Sequence, residues 1–195
     1  MKYIRNLLGR MRKDALPPSY NHCWTERPQI KWPYDLLGLF LLALFLRGVV
    51  LWTAIGQLGV DSFLTSTPDT TNYLAAARAL IEHSNAAENI LFTFGPGFPY
   101  LLSIYLRVFG ESPLPFLIIQ TVLSSLSCLL IYRLSRQLLG DYLISILAGV
   151  IAAFSLTSIS LSCLILSDTV YFFIFLLSLV LFIDGIKSGG WWRFV

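Results

Sequence analysis

Two carboxylates stand at the starts of expected helices, and one of them lies inside an apolar run. Asp168 lies in "LILSDTVYFF", between "SLTSISLSC" and "IFLLSLVLFI". Asp69 opens "PDTTNYLAAARALIEH". An oriented carboxylate is what general-base catalysis needs, and negative charge is favoured at a helix start. Asp is also a preferred N-cap, so each acid reads both as a cap and as a catalytic group. An acid this close to hydrocarbon usually faces a cavity or a partner, which tilts Asp168 toward function. Arg47 raises a third question, because it lies mid-way along an apolar run. A buried arginine costs about 2.5–3.5 kcal/mol by insertion scales. It calls for a carboxylate, an anionic phosphate, or packing against a helix missing from this chain. His22 and His83 are isolated, and no role is assigned to either. Cys23, Cys128 and Cys163 are far apart and odd in number, so neither a disulfide nor a metal site is expected.

The elements that must carry these residues are membrane elements. Of the 195 residues, 56% are hydrophobic and 13% charged, and the mean hydropathy is +0.70. A soluble domain is nearer one quarter charged. The net charge of +3 gives no case for nucleic acid. Residues 1–34 are basic and proline-containing, without the apolar core of a signal peptide, and read as a cytoplasmic tail. Ile4, Leu7, Leu8 and Met11 are spaced for a short amphipathic helix on the lipid surface. From residue 35 the chain is an all-α integral membrane domain. A span takes about 20 apolar residues, and four are expected, near 36–58, 113–134, 142–160 and 169–186. "RLSRQLLGD" reads as a basic turn between the second and third.

The loop 59–112 holds two further helical pieces, "TTNYLAAARALIEH" and "FPYLLSIYLRVFG". In the first, Tyr73, Ala76, Ala77, Leu80 and Ile81 form one apolar face, opposite Asn72, Arg78 and Glu82. That pattern predicts an interfacial helix. Gly95, Pro96, Gly97 and Pro99 hold off the second helix until about Phe98. The aromatics Phe92, Phe94, Phe98, Tyr100 and Tyr105 suit the headgroup level.

Basic residues set the orientation. They crowd the tail, recur at Arg133 and Arg136, and return at Lys187 and Arg193, whereas the loop 59–112 is acidic on balance. The N-terminus is therefore expected in the cytoplasm and the loop outside. Asp69 and Asp168 then share the outer face, each just ahead of a helix.

The ordered pieces resemble one family. A single span is followed by "PDTTNYLAAARAL" and "FTFGPGFPYLLSIYLRVFG", then a helix hairpin turning at "RLSRQLLGD", then "LSDTVYFF". This is similar to the N-terminal part of the GT-C glycosyltransferases of the protein-mannosyltransferase and aminoarabinose-transferase type. The resemblance implies transfer of a sugar from a polyprenyl-phosphate carrier to a lipid, glycan or protein acceptor at the outer face of the cell membrane. It implies catalytic roles for Asp69, at the acid opening the first outer-loop helix, and for Asp168, at the second acid. Arg47, Arg78 and Arg107 are the candidates to meet the leaving lipid phosphate, with Tyr73 as a further substrate contact. Many relatives carry a second acid directly after the first, where this chain has Thr70. A divalent cation is allowed but not indicated. The family is longer, so a fragment, a truncated product or one part of a split enzyme is expected, completed by a C-terminal part or a partner chain. The rival readings are a lipid or solute transporter and a non-catalytic membrane assembly subunit.

Overall fold

Apolar residues fill α1 (Pro33–Leu58), and its 26 residues rise roughly 39 Å, enough to cross a bilayer. The structure, a computed structural model, describes residues 33–82 and 95–187. The basic tail with its expected short helix, His83, Phe92, Phe94 and the "GGWWRFV" end lie outside these residues. A short 3-10 turn (Asp61–Thr65) leads to α2 (Pro68–Ile81), and α3 is Gly97–Phe109. Then come α4 (Leu114–Leu139), α5 (Tyr142–Ala153), α6 (Leu156–Ser162) and α7 (Ser167–Lys187). Among the described residues every regular element is a helix, and there is no strand. Three helices, α1, α4 and α7, are each long and apolar enough to cross a membrane. The pair α5 and α6 makes a fourth span if its two halves are counted together.

That pair departs from the continuous third span expected from sequence. Its halves bend by 52° at Phe154 and Ser155. Neither Gly nor Pro marks the break. Ser155 instead turns its own side chain to accept from the Ser158 backbone N–H and starts a new helix. The turn after the second span also differs. α4 runs on to Leu139, so Arg133 and Arg136 sit inside the helix, and the turn shrinks to Gly140 and Asp141. Gly140 takes the left-handed conformation (φ 72°) that glycine adopts at least cost.

Two apolar cores hold the helices. At one end Leu39 and Ala43 of α1 meet Cys128 and Tyr132 of α4 and Ala153 of α5. Gly149 permits this approach: a Cβ there would lie 2.5 Å from Leu39 Cδ2 and 3.4 Å from Tyr132 Cβ. At the other end an aromatic chain ties α2, α3 and α4. Tyr73 meets Phe98 edge-on at 4.8 Å, and Phe116 meets both Phe98 and Tyr105 edge-on. The apolar face of α2 is thus buried against protein, with Tyr73, Ala76 and Ala77 enclosed. Phe98 and Tyr105 belong to this core and not to an aromatic belt, whereas Tyr100 is exposed.

Candidate functional site

Asp69 does not cap its helix. Thr67 does, accepting from the Thr70 backbone N–H at 3.1 Å, with Pro68 in the first turn. Asp69 follows in that turn with its side chain exposed. Asp168 likewise sits in the first turn of α7 and is exposed.

The starts of the two acid-bearing helices are joined. Thr70, next to Asp69, is fully buried and donates to the Ile165 carbonyl at 3.1 Å. Tyr73 OH lies 3.2 Å from Ser167 Oγ, next to Asp168. Between these contacts, Gln120 of α4 donates to the Leu166 carbonyl at 2.6 Å. The carbonyls of Ile165 and Leu166 precede α7, and buried backbone acceptors need partners. A hydroxyl donor suits position 70 for this reason. An ionised carboxylate in its place would oppose the Ile165 oxygen.

Asp168 lines a cavity of about 350 Å³ among α4, the α5–α6 break and α7. Hydroxyls from Ser124, Ser127, Ser155, Thr157 and Ser158 line it as well, with Leu161 and Phe172 supplying apolar wall. Asp69 is not among its lining residues.

Arg47 stands behind this wall, fully buried. Its Nε donates to Ser124 Oγ at 2.7 Å and its Nη2 to Ser158 Oγ at 3.0 Å. Nη2 also approaches Cys128 Sγ at 3.5 Å, and Nη1 donates to the carbonyls of Ala43 and Ala153. A guanidinium has five N–H donors, and all five meet acceptors here. The Ala153 carbonyl is the end of α5, released by the break, so a cation there also meets the negative end of that helix. The ion pairs Arg78–Glu111 and Arg133–Asp184 do not involve Arg47.

Arg78 is held at 2.9 Å by Glu111 on the surface, a pair of little stabilising value. Arg107 lines a second cavity, about 380 Å³, with Leu80, Tyr100, Ser103 and Ile104 between α2 and α3. Among the described residues, no three His, Cys, Asp or Glu side chains gather as metal ligands.

Sequence reasoning singled out Asp168 and Arg47 but not the residues that join them to the rest. Ser124 and Ser158 bridge Arg47 to the cavity, and Gln120 holds the chain ahead of Asp168. The usable signal was the density of hydroxyls in "SLTSISLS", unusual for a span.

A model of the family described as dolichyl-phosphate-mannose-protein mannosyltransferase matches residues 94–195, more than half of the chain. The match takes in α3 to α7 and Asp168, and it begins after Arg47 and Asp69. No curated protein matches the chain, and no solved structure does.

Proposed function

Because the chain belongs to the dolichyl-phosphate-mannose-protein mannosyltransferase family, and so to the membrane glycosyltransferases of GT-C type, we propose that it acts on a sugar carried by a polyprenyl phosphate. The acceptor is a hydroxyl of a lipid, glycan or protein at the outer face of the cell membrane, with the N-terminus in the cytoplasm. Asp69 takes the proton of that hydroxyl as its oxygen attacks the anomeric carbon. The bond from that carbon to the phosphate oxygen breaks, and the lipid phosphate leaves with the electron pair. Positive charge at the departing phosphate lowers the barrier. Arg107, exposed on α3, and Arg78, exposed on α2, are the candidates for this role, with Tyr73 as a further substrate contact. Arg47 acts at one remove, by fixing the hydroxyls of Ser124 and Ser158. Asp168 orients the hydroxylated ligand.

The observation that carries this reading is the placement of Asp168. Asp168 lines a hydroxyl-rich cavity among α4, the α5–α6 break and α7, in the part of the chain the family match covers. A sugar offers many hydroxyl donors to such a surface. The test uses washed membranes carrying the protein, supplied with radiolabelled polyprenyl-phosphate sugars. Label should pass to an acceptor with the wild type and fall sharply with Asp168→Asn, while the variant still inserts. Equal transfer by the Asn variant would refute the role of Asp168.

A further inference from the structure

Three consecutive residues ahead of Asp168 are each gripped from outside α7. Thr70 holds the Ile165 carbonyl, Gln120 the Leu166 carbonyl, and Tyr73 the Ser167 hydroxyl. Thr70 and Tyr73 are one turn apart on α2, so they present the same face. Thr70 is also knitted into its own helix start, with its hydroxyl 2.9 Å from Thr67 Oγ1 and its N–H on the same oxygen. One fully buried hydroxyl therefore belongs both to the turn that presents Asp69 and to the segment that presents Asp168.

We propose that Thr70 is a positioning residue that fixes the register of the two acid-bearing helices, so that Asp69 and Asp168 act on one bound substrate. This rests on the transferase reading for its catalytic consequence but not for its geometry. The physical reason is economy of contact. The segment from Leu164 to Leu166 has no regular secondary structure. The Leu164 carbonyl accepts from the Leu166 backbone N–H, whereas those of Ile165 and Leu166 accept from the side chains of Thr70 and Gln120. Replacing the Thr70 hydroxyl by a methyl keeps the volume and removes the donor. The Ile165 carbonyl is then left buried without its partner, and the segment shifts to find another.

The experiment measures the separation of α2 and α7 directly. Spin labels go on Ala75 and Ile174, both exposed and outside the proposed chemistry, in the full chain reconstituted in lipid nanodiscs. The parent protein should give one narrow distance distribution. Thr70→Val should broaden or displace it, and Thr70→Ser, which restores the donor, should return it. Gln120→Met, which removes a different grip on the same segment, should broaden it in turn and covers the case in which Thr70→Val fails to fold. In parallel, sugar transfer by Thr70→Val should lose kcat by about 10²-fold with KM little changed, since small misplacements of reacting groups have effects of that order. Unchanged distances in both Thr70→Val and Gln120→Met overturn the proposal, whatever the transfer rates. So does a broadened distribution that leaves kcat at the wild-type value. Broadening reversed by Thr70→Ser supports the register role even if no form transfers sugar, and in that case it is the transferase reading that falls.

Discussion

Arg47 shows how one residue can be costly alone and settled in place. Its five donors end on two serine hydroxyls, a thiol and two carbonyls, without a carboxylate. The planar fork matters here more than the charge. Lysine offers three donors from a single point and cannot reach this spread of acceptors. Arg47→Lys should therefore destabilise the protein by about 1–3 kcal/mol for each buried group left unpaired. Arg47→Met removes every donor as well as the charge and should destabilise at least as much. Thermal unfolding in detergent decides this, and a Lys variant as stable as the wild type would show that charge, not the fork, holds the α5–α6 break. For the acids, charge and capping separate cleanly at position 69, because Thr67 has the cap. Asp69→Asn should keep expression and reduce transfer by about 10²-fold or more. Normal transfer would remove Asp69 from the chemistry. Sequence made Asp168 and Arg47 visible through their cost in apolar surroundings, and Asp69 through its place at the start of a helix. It marked Thr70 only as the residue after Asp69 and did not reveal Gln120, because a neutral polar residue carries a smaller burial penalty than a charge and gains meaning only from distant partners.

Among the elements, α2 and α3 are legible as helices from periodicity, but their surroundings are not. Their apolar faces suggested a resting place on lipid, and the structure turns them toward each other and toward α4. Phe98 is the centre of that contact, 2% exposed between Tyr73 and Phe116. Phe98→Ala should cost about 3–5 kcal/mol and loosen α2, read as faster proteolysis of the 68–109 region in intact membranes. Unaltered proteolysis would mean that the aromatic chain is not what holds α2 down. At the opposite end Gly149 meets Leu39 and Tyr132. Gly149→Leu should cost about 1–3 kcal/mol by overpacking, and Gly149→Ala less, since the Leu39 methyl can turn aside. The α5–α6 break escaped sequence reading for a plain reason. "AAFSLTS" has no Gly or Pro, and a capping serine inside an apolar run looks like any other serine until a cation takes the freed carbonyl.

For the molecule as a whole, the orientation expected from the charge distribution is open to direct measurement. Ala75 on α2 and Leu139 at the end of α4 are both exposed, and single cysteines there should label from opposite sides, with position 75 outside. Labelling from one side would overturn the four-span topology and the shared outer site. The native thiols help this experiment. Cys128 and Cys163 are buried, and burial pushes the Cys163 thiol up from its ordinary value, leaving less reactive thiolate at neutral pH. Both should resist maleimide until the protein unfolds, so only Cys23 needs replacing. The distance in sequence between Arg47 and its partners carries a last consequence, for biosynthesis. Ser124 lies 77 residues downstream and Ser158 lies 111. At about 5–20 residues per second, the ribosome needs roughly 4–20 s to supply them. During that interval α1 has entered the membrane with a bare guanidinium, at the cost of about 2.5–3.5 kcal/mol that insertion scales assign to such a residue. The first helix should therefore linger beside the translocon and commit to lipid only when α4 and α6 arrive. Nascent chains halted before Ser124 should leave α1 extractable by alkali, chains halted after Ser162 should not, and Arg47→Leu should abolish the difference.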